Sequence, residues 1–547
     1  MTPSLPIAPR WRAAVALLGL LAGVAMLAIL ARGFLPWITD QYAFRQTQTA
    51  LVAQYLHGPA DLFSSELPVL GSPWAVPFEF PLYQALARSL SVATGLALVT
   101  CGRLVGVGFF LMALACLARL CRQFDVRHPV LVCALVALTP LYTFWARSFM
   151  IETTAVAFTL WFATIQVDLL RARRAEAART GLLFVAGVAA ILVKVTTLLP
   201  VLALALVLQA LQVWRGRRER ARWQAALVPL VAQLAVLAIG AAWVTYADMV
   251  KARNPLASAL TSSHLQSWNW GTLHQRLDPH VWFVLLSHTA EIFFPPEAVG
   301  AMGNSFAVRA AGLFFPDEAV ERVGNSLALF VALLLAFAAA LGRCTPQRRR
   351  LVGWCVALFL APYLCFINLH YVHSYYQCAN AIFLCAALGL AFEGAISEAR
   401  APAPALAWSW LAGLALGLVL LAQCALRNMD WYVALPERGV ALAAQVRQAS
   451  APGKAIIVTG LDWSPQLPFQ SGHRALMLWG RDLEPRDRAA LDIALRQRAD
   501  YDLYLACGMR PLYDGLFRQA WGLDSSATPI AEVEGCRFYR LDGPAAR

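Results

Sequence analysis

Residues 13–30, AAVALLGLLAGVAMLAIL, run without a single charge, and residues 36–50, PWITDQYAFRQTQTA, follow almost at once. An apolar run of about twenty residues is what a helix needs to cross the hydrocarbon core of a bilayer. Arg10 and Arg12 precede the run, and no small-residue cleavage site leads from it into a soluble domain, so it reads as a signal anchor that stays as the first span.

Working outward, further apolar tracts meet or approach the same length: 13–35, 95–118, 129–146, 151–170, 180–194, 195–214, 223–247, 323–342, 351–369, 374–394 and 404–426. Basic clusters fall between them at Arg10/Arg12, Arg119–Arg127, Arg171–Arg179, Arg215–Arg222 and Arg343–Arg350, with a lone Arg400 later. Cytoplasmic loops gather Arg and Lys. Placing every cluster in the cytoplasm gives one consistent order of about eleven spans, with the N-terminus inside. The stretch 180–214 begins and ends at such clusters and reads as a short helical hairpin, its turn marked by Lys194 and Pro200.

Composition agrees. Hydrophobic residues make up 59% of the 547 and charged ones 14%, against roughly 25% charged in soluble chains. The net charge of +13 sits in loops between apolar tracts, where it sets topology, so a nucleic-acid partner is not expected. Ten of the twelve Cys lie in or beside apolar tracts; Cys507 and Cys536 lie in the polar C-terminal region, and a disulfide between them is expected if that region is periplasmic.

Three polar regions face the periplasm on this topology: 36–94, 248–322 and the C-terminal segment from Arg427. The last has an α/β rhythm, with a helix near Glu437–Ser450, a strand at Ala455–Thr459, a second helix near Pro485–Arg498 and a strand at Tyr501–Ala506. The expected fold is therefore mainly α: a polytopic transmembrane helical bundle over 1–426 with a small periplasmic α/β domain over 427–547.

Ionisable residues cluster at the periplasmic ends of these spans. Asp40 stands just past the first span, between Trp37 and Tyr42. It, or Thr39, caps a juxtamembrane helix from about 41 to 57, or it acts as a general base at the depth where a lipid-borne substrate holds its reactive carbon. Glu152 opens the fourth span, either as a solvated first-turn acid or as a site acid, with Arg147 nearby as a phosphate contact. Lys194 is the only lysine in any apolar tract. It snorkels to the interface or neutralises a phosphate leaving group. His370, His373, Tyr375 and Tyr376 form an aromatic cluster between the ninth and tenth spans, read as a phosphate or sugar contact rather than a metal site. The loop 248–322 adds Trp268, Trp270 and several histidines, suited to stacking on sugars or lying on lipid. No phosphate-cradling Gly-rich loop, zinc-protease motif or Cys-x-x-Cys is present.

The order of these landmarks resembles the GT-C glycosyltransferases, in particular bacterial relatives of protein O-mannosyltransferases and of the lipid A aminoarabinose transferase. Asp40 with the Arg45-Gln46-Thr47-Gln48-Thr49-Ala50 helix looks like that family's first-loop catalytic segment. Pro81-Leu82-Tyr83 and Gly102-Arg103-Leu104 look like its next landmarks, followed by Arg147 and Glu152, Lys194, and His373-Ser374-Tyr375-Tyr376. The resemblance implies a polyprenyl-phosphate sugar donor, undecaprenyl-phosphate in a bacterial inner membrane, and inverting transfer to a periplasmic lipid, glycan or protein acceptor. Asp40 and Glu152 are then catalytic, while Arg45, Arg147, Lys194, His373, Tyr375 and Tyr376 bind substrate. Family members often carry two adjacent acids in the first loop; here Gln41 follows Asp40, so neither a metal nor another cofactor is expected. The alternative reading is a secondary transporter or lipid flippase, whose internal pseudo-symmetry this chain lacks.

Overall fold

The structure, a computed structural model, describes residues 9–38, 41–299, 317–397, 404–434, 439–478, 484–508, 521, 523 and 528–541. Among these, seven helices are long and apolar enough to cross a membrane: Arg12–Arg32, Leu98–Gln123, Glu152–Arg171, Val195–Gly216, Arg220–Lys251, Gly324–Arg343 and Leu406–Val433. Shorter apolar helices occupy Pro129–Leu138, Ala177–Val193 and Ala381–Ser397, and the arginine-headed helix Pro346–Cys365 takes the place of the ninth tract.

The chain packs as two compact units. One comprises 1–35, 103–240 and 267–434; the other comprises 36–102, 241–266 and 435–547. The second unit thus joins the first loop, and part of the second, to the C-terminal segment, where a boundary drawn along the chain at residue 426 separates them.

In the first unit, the helix Ala381–Ser397 is apolar all round and buried almost throughout, as such a helix must be. Helices 129–138, 317–343, 346–365 and 404–433 pack about it. A Cβ on Gly389 would lie 2.9 Å from the Val132 Cα, so the close crossing with helix 129–138 requires glycine there. At one end Glu393, wholly buried, pairs with Arg348 at 3.1 Å and accepts the His128 backbone N–H at 3.2 Å.

Three expectations need correction. The tract 129–146 is not one helix: it ends at Leu138, and a short helix Pro140–Trp145 follows. Pro140 supplies no N–H and forces Thr139 into an extended backbone, φ −64° and ψ 126°. Within 374–394, residues Ser374–Ala379 form a 3-10 turn and the helix begins only at Ala381. The hairpin turn falls at Lys194 alone, which has an extended backbone (φ −162°, ψ 100°) between helices Ala177–Val193 and Val195–Gly216, while Pro200 lies inside the second.

Glutamines fasten three neighbouring helices inside the apolar bundle. Gln233 Nε2 donates to Gln166 Oε1 at 2.7 Å, Gln166 Nε2 donates to Gln209 Oε1 at 2.9 Å, and Gln209 Nε2 donates to the Ala226 carbonyl at 2.9 Å. All three side chains are buried. With no water to compete, such bonds hold helices that have no hydrophobic drive to associate.

The second unit is built on a five-stranded sheet of order β2-β1-β3-β5-β4. Its strands are β1 Ala455–Thr459, β2 Arg474–Leu478, β3 Tyr501–Cys507, β4 Ala531–Val533 and β5 Cys536–Arg540. β1 runs parallel to β2 and to β3, while β5 is antiparallel to β3 and to β4. β1 is buried at every residue, which explains its unbroken apolar run, AIIVT. The helix expected from Glu437 begins at Val440, and the expectation for 435–438 lies outside the described residues. Cys507 and Cys536 face each other across the β3–β5 ladder and are joined as a disulfide.

The free edge of β2 is covered by the first loop. Ala475 N–H donates to the Pro68 carbonyl at 3.0 Å, Met477 N–H to Val69 at 3.1 Å, and Gly71 N–H to Ala475 at 3.3 Å. Asn254 Nδ2 braces this segment by donating to the Gly71 and Pro73 carbonyls at 2.9 and 3.0 Å. Covering an edge removes a template for pairing with other chains, and this pairing is why the loop belongs with the sheet.

The glutamine network yields a stability prediction. Gln166→Leu removes a residue bonded to both of its neighbours and should cost roughly 1 kcal/mol, seen as a lower unfolding midpoint in detergent. An unchanged midpoint would show the network to be idle.

Candidate functional site

In the first unit, Lys194 caps the break between two apolar helices and Glu152 begins a third. The two meet: Lys194 Nζ donates to Glu152 Oε1 at 2.5 Å, with side-chain exposures of 5% and 2%. Burying either charge alone would cost several kcal/mol, and the pairing is what makes both tenable. Glu152 Oε2 is also buried and takes no hydrogen bond among the described residues, so the carboxylate retains an open acceptor. Neither the solvated first-turn acid nor the snorkelling lysine of the sequence alternatives describes this pair.

An aromatic wall stands over the lysine. Its ammonium lies 4.3 Å from the Tyr376 ring centroid and 5.3 Å from that of Tyr375, a geometry in which ring faces attract a cation. Tyr375 and Tyr376 stack at 4.6 Å, and His373 stacks on Tyr375 at 5.3 Å. The 3-10 segment Ser374–Ala379, set by the late start of helix 381–397, is what turns these rings toward the lysine. Trp268 meets His373 at 6.0 Å. The second-loop segment is stitched beside it by Gln275 Nε2 donating to Asn368 Oδ1 at 2.7 Å and Asn368 Nδ2 donating to the Trp268 carbonyl at 2.9 Å.

Behind the wall runs a buried polar chain that sequence reasoning missed. His288 Nδ1 donates to the His370 carbonyl at 3.0 Å, the His370 ring packs on Tyr363 at 5.0 Å, and the Tyr363 hydroxyl bonds Gln377 Oε1 and, at 2.9 Å, Thr289 Oγ1. Burial, with the Lys194 charge and His288 adding to it, pushes His370 down to about 3. The ring is therefore neutral at physiological pH.

Two arginines mark the exit of the first span. Arg103 Nη1 donates to the Gly33 carbonyl at 2.5 Å, and a Cβ on Gly33 would lie 2.8 Å from Arg147 Nε. Both guanidinium side chains are fully buried, and Arg147 lies over the Phe144 ring at 4.4 Å. Arg103, read from sequence only as a landmark, thus stands with Arg147 against the backbone seven residues before Asp40.

No family model matches the chain, and no curated protein does. Among solved structures it is similar to ArnT from Cupriavidus metallidurans bound to undecaprenyl phosphate, at TM-score 0.50 and 16% identity, covering 98% of this chain and 99% of that one. The fold is of the GT-C type. The apo state of the same ArnT matches at TM-score 0.46 and 15% identity, over 96% of this chain and 98% of that one. The archaeal oligosaccharyltransferase AglB from Archaeoglobus fulgidus, in complex with an inhibitory peptide and a dolichol-phosphate, matches at TM-score 0.44 and 10% identity, over 89% and 69%.

On this GT-C-type fold the expected site residues divide as follows. Glu152, Lys194, His373, Tyr375 and Tyr376 come together, with Arg147 near Gly33. Arg45 belongs to the second unit, where it pairs with Glu79 at 2.5 Å and donates to Gln48 Oε1 at 2.6 Å. Asp40 lies outside the described residues. The helix after it runs Ala43–Gln54 with Tyr42 at its N-cap position, where a start near 41 was expected; the capping expected of Thr39 or Asp40 lies outside the described residues.

The buried pair can be tested on stability alone. Glu152→Gln strands the Lys194 charge and should cost about 3–5 kcal/mol; the double variant Glu152→Gln/Lys194→Met should recover much of that, and a thermal-unfolding series in detergent measures both. Equal losses in single and double variants would refute the pairing. His370 gives a pH prediction. Its folded value lies below its unfolded value near 6.5, so its contribution is complete above pH 6.5 and is lost as pH falls toward 3. The unfolding midpoint should drop on acidification below 6.5, and less steeply in His370→Gln; parallel profiles would contradict the assignment.

Proposed function

We propose that this protein transfers a sugar from a polyprenyl-phosphate carrier, undecaprenyl-phosphate in a bacterial inner membrane, to an acceptor hydroxyl on the periplasmic side. The observation that carries this reading is the buried Lys194–Glu152 pair beneath the His373–Tyr375–Tyr376 wall, on a fold shared with a protein bound to undecaprenyl phosphate. A cation held in a low-dielectric, aromatic-lined position is suited to a phosphate whose charge grows as the glycosidic bond breaks. The C-terminal disulfide agrees with an oxidising compartment.

The reaction is a single displacement. An acceptor hydroxyl attacks the anomeric carbon, the bond from that carbon to the carrier phosphate breaks, and the electron pair leaves with the phosphate, so the anomeric configuration inverts. Asp40 takes the hydroxyl proton. Lys194 and Arg147 balance the leaving phosphate, Tyr375, Tyr376 and His373 line its approach, and Glu152 Oε2 accepts from a hydroxyl of the bound substrate. Arg45, tied to Glu79, holds the helix that follows Asp40.

The test is transfer of radiolabelled sugar from a purified carrier into acceptor by the protein in bilayers. Asp40→Asn should lower turnover by at least about a hundredfold, the low end of what a positioned base supplies, with expression and carrier binding retained. Undiminished turnover in that variant would remove Asp40 from the mechanism. Absence of transfer by the wild-type protein across carrier-linked sugars would remove the reaction itself.

A further inference from the structure

A cavity of about 280 Å³ lies within the first unit between helices 317–343 and 404–433, with the buried Leu135 and Leu388 at its back. That volume is close to the roughly 300 Å³ at which ligand pockets begin. On helix 404–433 the lining runs from Trp410 to Leu421, about 16 Å at 1.5 Å per residue. The space is thus drawn out into a slot narrower than a helix, which measures about 10 Å across. Gly413 and Gly417 lie along it one turn apart, and a Cβ on either would meet nothing within 4 Å. Phe293, stacked on Phe330 at 6.1 Å, and Phe392, 6.3 Å from Trp410, put rigid rings on the lining.

Both flanking helices are long and apolar enough to cross a membrane. Val331 and Leu335 on one, and Leu416 and Val419 on the other, are exposed beside the slot. Its mouth therefore continues the face that these helices turn to hydrocarbon. An empty slot would forfeit the packing contacts of every atom lining it. Water needs several polar partners, and among the described residues the lining offers no charged, hydroxyl or amide side chain. A hydrocarbon chain meets neither obstacle, and a helix of a second copy is too wide to enter.

We propose that this slot binds one acyl chain of a bilayer phospholipid and holds it as a fixed part of the helical bundle. The site is separate from the one assigned to the carrier. Lys194 joins helices 177–193 and 195–216, and among the described residues neither helix contributes to the slot's lining. An isoprenoid whose phosphate rests at Lys194 thus begins among other helices, whereas a phospholipid reaches the mouth directly from the bilayer.

The experiment is native mass spectrometry of the full-length protein, stripped of lipid in detergent and then given palmitoyl-oleoyl phosphatidylethanolamine, undecaprenyl phosphate or both. One phospholipid should stay on the wild-type protein, and undecaprenyl phosphate should not displace it. Gly413→Leu/Gly417→Leu fills the slot from one wall and Ala332→Leu, at an exposed lining position, from the other. Each should weaken phospholipid retention by about tenfold or more, and Ala332→Leu carries the comparison if the glycine pair does not fold. The same phospholipid should raise the unfolding midpoint of the wild type and leave the filled variants unmoved, which separates a filled slot from a damaged bundle. No retained phospholipid, equal retention in the filled variants, displacement by undecaprenyl phosphate, or a second protein chain in place of lipid would each overturn the proposal. Binding is read without a sugar donor, so it stands apart from a failure of sugar transfer.

Discussion

A lysine at the junction of two membrane helices cannot remain there as an isolated charge, and much of the first unit's architecture answers that constraint. The chain breaks between Val193 and Val195 so that Lys194 leaves the helical pattern. Glu152 begins a third helix at the point where its carboxylate reaches the ammonium. The segment after Pro346–Cys365 declines to form a regular span until Ala381, and in doing so lays Tyr375 and Tyr376 over the same charge. Each irregularity would be a defect in a simple bundle. Together they hold a cation and a carboxylate in a site from which water is largely excluded, where electrostatic interactions are stronger than in solution.

The long apolar helices were legible because bilayer thickness imposes a length on every apolar run; the direction of each run remains the expectation that the arginine clusters give. What composition could not show was where a run breaks inside. Thr139-Pro140 carried the signal, since proline disfavours helix both at itself and at the residue before. Pro200 carried the same signal and sits in a helix regardless, five residues past its start at Val195, where the rest of the helix outweighs one missing donor. Of the site, Lys194, Glu152 and the tyrosines stood out because ionisable and aromatic residues are conspicuous in apolar surroundings. Their pairing did not, because it depends on the meeting of helices distant in sequence. The Gln166–Gln209–Gln233 network was visible in principle as isolated amides in apolar tracts, and Arg103 as a charge five residues into the helix that begins at Leu98.

The second unit shows the opposite balance. Its β1 and β3 strands are readable as short apolar runs, yet β2, RALML, reads as helix by propensity and is a strand because it lies between β1 and the first loop. Tertiary pairing overrides local preference there. The same pairing binds a loop from near the N-terminus to a domain at the C-terminus, so the first-loop segment 68–71 is held by the sheet rather than by neighbouring sequence. The disulfide at Cys507–Cys536 joins β3 to β5 on the other side of β1.

On the proposed reading, Lys194 receives the carrier phosphate beneath the tyrosine wall. Cryo-electron microscopy of the protein in nanodiscs loaded with undecaprenyl phosphate measures this directly. The account predicts phosphate density within about 4 Å of Lys194 Nζ, flanked by Tyr376. A phosphate bound elsewhere, with the Lys194–Glu152 pair closed and undisturbed, would contradict it.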